Sequence, residues 1–124
     1  MHFIISAVHG SAHAGANVPL SRSASLFIYI VILAGPIVGL ALTWPAPRLG
    51  SLLVAGTMAA ALVFGVVNHF ILASPDLVTH VDPQWRTLFA ATAVLLAVTE
   101  ALGCVMAIRL VREKNGSIRR YERR

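Results

Sequence analysis

Charge is what this sequence has least of. Only 12% of its 124 residues are Asp, Glu, Lys or Arg, against 57% hydrophobic. A soluble domain carries roughly twice that charged share. The single cysteine, Cys104, excludes an intrachain disulfide and a cysteine-paired zinc site. No Gly-rich phosphate loop, nucleophile elbow or catalytic triad is visible. The net charge is +5, but seven of the ten basic residues fall between Arg109 and Arg124. That stretch is short and lacks a reading fold, so nucleic acid is not the expected partner.

What the chain does have is three long apolar runs. They cover about Ser25 to Trp44, Leu49 to Ala73 and Trp85 to Val111. Each reaches or exceeds the ~20 residues that cross ~30 Å of hydrocarbon as a helix. Lipid offers no partner for backbone N–H and C=O groups, so a single-pass span must be helical. The expected fold is therefore all-α: one membrane domain over residues 1–124, with transmembrane helices at 25–44, 49–73 and 85–111. Residues 1–16 read as a short N-terminal helix, and 112–124 as a basic tail.

The joints agree with this division. Trp44-Pro45-Ala46-Pro47 stops the first span, because proline lacks the amide donor and restrains its predecessor. Ser74-Pro75 ends the second, and Asp82-Pro83 reads as an N-cap with proline at the first helical position of the third. Asn115-Gly116 reads as a C-terminal stop. The basic tail belongs in the cytoplasm. The 74–84 loop and residues 1–24 then lie outside a plasma or inner membrane. Residues 1–16 reach only ~24 Å as a helix, short of a crossing; a fourth span is the alternative. A signal peptide is disfavoured by the missing basic n-region.

Five histidines stand out in so apolar a chain. On a helix, His2, His9 and His13 share one stripe, with His9 and His13 at i,i+4. Ser74-Pro75-Asp76 predicts a short helical turn that sets Asp76 and His80 at i,i+4, and His69 sits near the end of the second span. By the charge topology, His9, His13, His69, His80 and Asp76 all lie on the outer side, with His2 a weaker addition. Imidazole with carboxylate suits Zn, Cu or Fe. Soft Cu⁺ is disfavoured, since Met58, Met106 and Cys104 lie elsewhere. A b-type haem, or a bacteriochlorophyll held through one His, is the alternative cofactor. The ordinary readings are a His69 bonded to a neighbouring helix, a solvated His80 and an Asp76 at a helix N-terminus.

Glu100 is the other polar residue inside a span, ~22 Å along the third helix from Trp85. It suits a proton relay, a partner contact or a neutral packed carboxyl. Gly35-x-x-x-Gly39, Gly56/Ala60, Ala61/Gly65 and Gly103/Ala107 offer small faces for close helix packing. The expected function is an outer-face metal or metallocofactor site supporting a redox or transport process. The alternative is a non-catalytic accessory subunit of a larger respiratory or photosynthetic complex. Besides lipid, the expected partner is another membrane protein or a second copy of the chain.

Overall fold

A computed structural model describes the backbone of residues 1–121 and the side chains of residues 1–113. The described residues form four helices and one short 3₁₀ turn, with no strand among them. Helix α1 is His2–Gly15, and α2 is Arg22–Leu42 with a π-helical middle at Ile28–Ala34. Helix α3 is Pro47–Ile71, ending in a π-helical turn at Val67–Ile71; the 3₁₀ turn is Val78–His80; α4 is Pro83–Tyr121. Three of these, α2, α3 and α4 up to Glu113, are long and apolar enough to cross a membrane. Helix α1 has 14 residues, about 21 Å, less than the hydrocarbon core.

The boundaries follow local chemistry. Ser21 caps α2 by accepting from the Ala24 amide at 3.1 Å. Pro47 opens α3 at a position whose amide needs no partner. Asp82 caps α4 through a 2.8 Å bond from the Gln84 amide to Oδ1, as the sequence predicts. Asn115-Gly116 does not end the helix: α4 continues to Tyr121. A helix already nucleated over eight turns carries one Asn and one Gly at a cost of about 1–2 kcal/mol.

Packing is sequential. Helix α2 lies on α3, α3 on α4, and α1 on the first half of α4. Between lipid-facing helices apolar burial contributes little, because lipid is as apolar as leucine; close packing and polar contacts must hold the bundle. Gly39 meets Val54 and the Gly50 carbonyl, Gly35 meets Thr57, and Gly103 meets Met58. The Gly35/Gly39 face is thus the seam with α3. Gly56 and Gly65 face open space instead, so those two glycines take no part in internal packing.

At the α3–α4 loop end, α1 closes over the bundle. Ala12, Val81 and Phe89 form a buried cluster there, with Trp85 beside it. Gly15 lies so close to Trp85 that any Cβ would collide with the indole. This contact fixes the C-terminal end of α1. At its other end, His2 Nε2 donates to the Ile32 carbonyl at 3.3 Å. His2 therefore ties α1 to the middle of α2, away from the other histidines.

Candidate metal centre

Three of the five histidines converge where α1, α3 and α4 meet. His9, His13 and His69 are all buried, and one ring nitrogen from each lies within 4.8 Å of the others. This group is close enough to hold a metal ion. The i,i+4 stripe on α1 supplies two rings, with centroids 4.8 Å apart. The π-helical turn supplies the third. Widening the last turn of α3 to i→i+5 bonding turns His69 inward, a local distortion often found at functional sites. All three rings rest on Phe89, with centroid distances of 4.7–5.1 Å. That packing restricts their rotation.

Each Nδ1 faces an oxygen. His69 Nδ1 lies 3.2 Å from the Asp76 carbonyl, which can only accept, so Nδ1 carries the proton and Nε2 the lone pair. His9 Nδ1 is 2.8 Å from Thr92 Oγ1, whose own hydroxyl is 2.7 Å from the Leu88 carbonyl. His13 Nδ1 is 3.5 Å from Asp76 Oδ1. That is ion-pair range without a hydrogen bond, and both atoms are buried with no hydrogen-bond partner. His9 Nε2 and His69 Nε2 then face each other at 3.2 Å.

Two proton arrangements satisfy this chain. If the Thr92 hydroxyl donates to Leu88, His9 donates from Nδ1 and two Nε2 lone pairs confront each other. If Thr92 donates to His9 instead, His9 Nε2–H donates to His69. The first arrangement is the one a cation stabilises. Nitrogens at ~2.0–2.1 Å from a tetrahedral zinc are about 3.3–3.4 Å apart, close to the 3.2 Å between the two rings.

Burial lowers the pKa of His9 from 6.5 to about 3, reinforced by the neighbouring His69 and His13 rings. Burial also lowers His13, with the Asp76 carboxylate opposing the shift. Both rings on α1 are therefore neutral near pH 7, the form that ligates metals.

The other expected residues fall in different places. Asp76 sits against His13 rather than beside His80. The predicted helical turn after Ser74 is a β-turn closed by the Leu77 amide to the Ser74 carbonyl at 3.1 Å, followed by the 3₁₀ turn. The i,i+4 pairing of Asp76 with His80 is lost with the helix. His80 is exposed, and its Nδ1 donates to the Ser74 carbonyl at 2.8 Å. It fastens the loop and stands outside the three-ring group. A haem iron held between His9 and His69 does not fit, because 3.2 Å leaves no room for a macrocycle. Thr92 and Phe89 were not singled out by the sequence. Their one signal is i,i+3 spacing in the first half of α4, too common in apolar helices to read. Glu100 is 3% exposed, and Thr99 beside it donates to the Leu95 and Leu96 carbonyls of its own helix.

Compared with known protein families, curated proteins and solved structures, the chain shows no match.

Proposed function

We propose that this is an integral membrane protein that binds a divalent transition metal through His9, His13 and His69, in support of a redox or transport process. Asp76 serves the site from behind, orienting His13 through Nδ1 as carboxylates orient zinc-bound histidines. The observation that carries this reading is the set of three buried imidazoles, each with Nδ1 turned to an oxygen, two of whose Nε2 atoms are spaced as shared ligands would be. Three neutral nitrogens with room for a further ligand suit Zn²⁺ or Cu²⁺. The charge pattern supports a topology with this end outside: Arg48 follows the first span and seven basic residues lie from Arg109 onward, at and beyond the end of the third.

Purified protein in detergent, analysed by elemental mass spectrometry, should carry about one metal ion per chain. His9→Ala and His69→Ala should lose it, and His80→Ala should keep it. Cobalt(II) loaded in its place should give the intense visible bands of a four-coordinate site. Metal content that is equally low in wild type and in both histidine variants, with no cobalt bands, rules the function out.

A further inference from the structure

A cavity of about 480 Å³ lies below the histidines, between α1, α2, α3 and α4. His9, His13, His69 and Asp76 form one end of it, and Glu100 lines it too. Glu100 follows Thr92 by eight residues, about 12 Å along α4. Between the two ends the walls are apolar, with Ile32, Leu33, Phe64 and Leu96 among them. We propose that this cavity binds a neutral lipid-soluble molecule with a hydroxyl head, of the alkylphenol class. The head lies at the histidine end and the apolar body runs toward Glu100.

Three features select this class. First, the cavity wall carries two carboxyl side chains, Asp76 and Glu100, and no Lys or Arg. An anionic amphiphile would bring a third negative charge into an apolar enclosure with no cationic side chain to meet it. Second, the histidine end offers a carboxylate acceptor. Asp76 lines the cavity and its Oδ1 faces His13, which leaves the second carboxylate oxygen to accept, so a donating O–H fits there and a carbonyl head does not. Third, the way in faces lipid. Helix α1 packs on α4 and barely on α2. Phe3, Leu20 and Tyr29 line the cavity and are 38%, 39% and 65% exposed at its edge. A ligand entering between α1 and α2 comes from the hydrocarbon, which selects an apolar body.

The inference rests on the histidine site proposed above for the position of the head, and the two readings fail separately. Two glycines on the cavity wall allow a direct test. A Cβ at Gly10 or Gly65 meets nothing within 4 Å, so Gly10→Leu and Gly65→Leu start a side chain on the cavity wall with no clash at Cβ. Gly56 is equally open but lies off the cavity, so Gly56→Leu is the matched control.

The probe is fluorine-labelled 4-heptylphenol, followed by fluorine NMR with the full chain in zwitterionic nanodiscs. Wild type and Gly56→Leu should show one saturable bound signal. Gly10→Leu and Gly65→Leu should weaken it at least about tenfold, with metal content unchanged, and decanoate should not displace it. Absent saturable binding in metal-loaded wild type overturns the cavity inference and leaves the metal site standing. So does equal binding by both plugged variants, or displacement by decanoate, which needs no variant at all. Saturable binding to a wild-type chain that purifies without metal and takes up no added cobalt keeps the cavity and overturns the metal reading instead.

Discussion

Thr92→Val is the sharpest single perturbation of the metal reading, because it changes no ligand. Valine has the shape of threonine, so Phe89 and the rings keep their packing. What disappears is the oxygen 2.8 Å from His9 Nδ1. Thr92 is only 5% exposed, so water does not readily replace it. Loss of such an orienting partner lowers metal affinity by about 10–100-fold, which is about 1.4–2.8 kcal/mol. The same range follows independently from leaving a buried donor unpaired, about 1–3 kcal/mol. Zinc affinity is read by competition with a chromophoric chelator, at fixed pH and detergent. Thr92→Ser restores the oxygen and should restore most of the affinity. If Thr92→Val binds zinc as wild type does, His9 Nδ1 does not need its acceptor, and the tautomer assigned to the ion-binding state is wrong.

Burial keeps His9 and His13 neutral, so zinc affinity should stay level as pH falls through 6.5 and fade only well below it; a titration with its midpoint at 6.5 contradicts this. The sign for stability is opposite to that of a salt-bridged His. The folded pKa is depressed, the unfolded chain takes up protons first, and the metal-free fold should weaken as pH drops from 6.5 toward about 3; constant stability over that window, measured by thermal unfolding, would count against it. Gly50→Ala puts a methyl against the Thr43 amide and the Gly39 carbonyl. The clash, about 1–3 kcal/mol, outweighs the helix propensity gained, about 0.5–1 kcal/mol, so a lowered melting temperature is expected, whereas Gly56→Ala should raise it slightly. A green fluorescent reporter at the C-terminus should glow and a periplasmic phosphatase there should stay inactive; the reverse pattern inverts the topology.

The bundle was legible because lipid leaves the chain few choices. Apolar runs of spanning length, broken at Pro45, Pro75 and Pro83, permit little but helices. The stripe on α1 was legible for a similar reason: a period of 3.6 puts His9 and His13 on one face whatever they later touch. Convergence with His69 was less so. Its inward turn depends on the π-helical widening at Val67–Ile71, and nothing in Val67-Asn68-His69-Phe70-Ile71 announces a fifth residue in the turn. His80 misled because i,i+4 spacing means proximity only inside a helix. Ser74-Pro75-Asp76 serves a β-turn as well as an N-cap, since the Ser74 hydroxyl accepts the Asp76 amide in either. Glu100 looked remote from the histidines along the helix axis. The sequence carries no sign of the void that puts both on one wall.

Hydrogen bonding alone is the rival explanation of the cluster, and it succeeds at one place and fails at another. With Thr92 as donor, the line Thr92–His9–His69–Asp76 carbonyl is fully paired and would help clamp α1 to α3 and α4. Interhelical bonds of this kind contribute about 0.6–2 kcal/mol in lipid. The same arrangement leaves His13 Nδ1 and Asp76 Oδ1 buried, 3.5 Å apart and unpaired. Each orphan costs about 1–3 kcal/mol, as much as the clamp returns. An ion on His13 Nε2 fixes the proton at Nδ1, strengthens it as a donor and draws it to the carboxylate, so one event satisfies both orphans. It also separates the two readings in dynamics. If the cluster is a metal site, hydrogen exchange in α1 slows on zinc addition, by up to about 2.7 kcal/mol of protection at a hundredfold excess over Kd, while the α2–α3 seam at Gly39 and Gly50 is unchanged. If it is only a clamp, zinc leaves α1 exchanging as before.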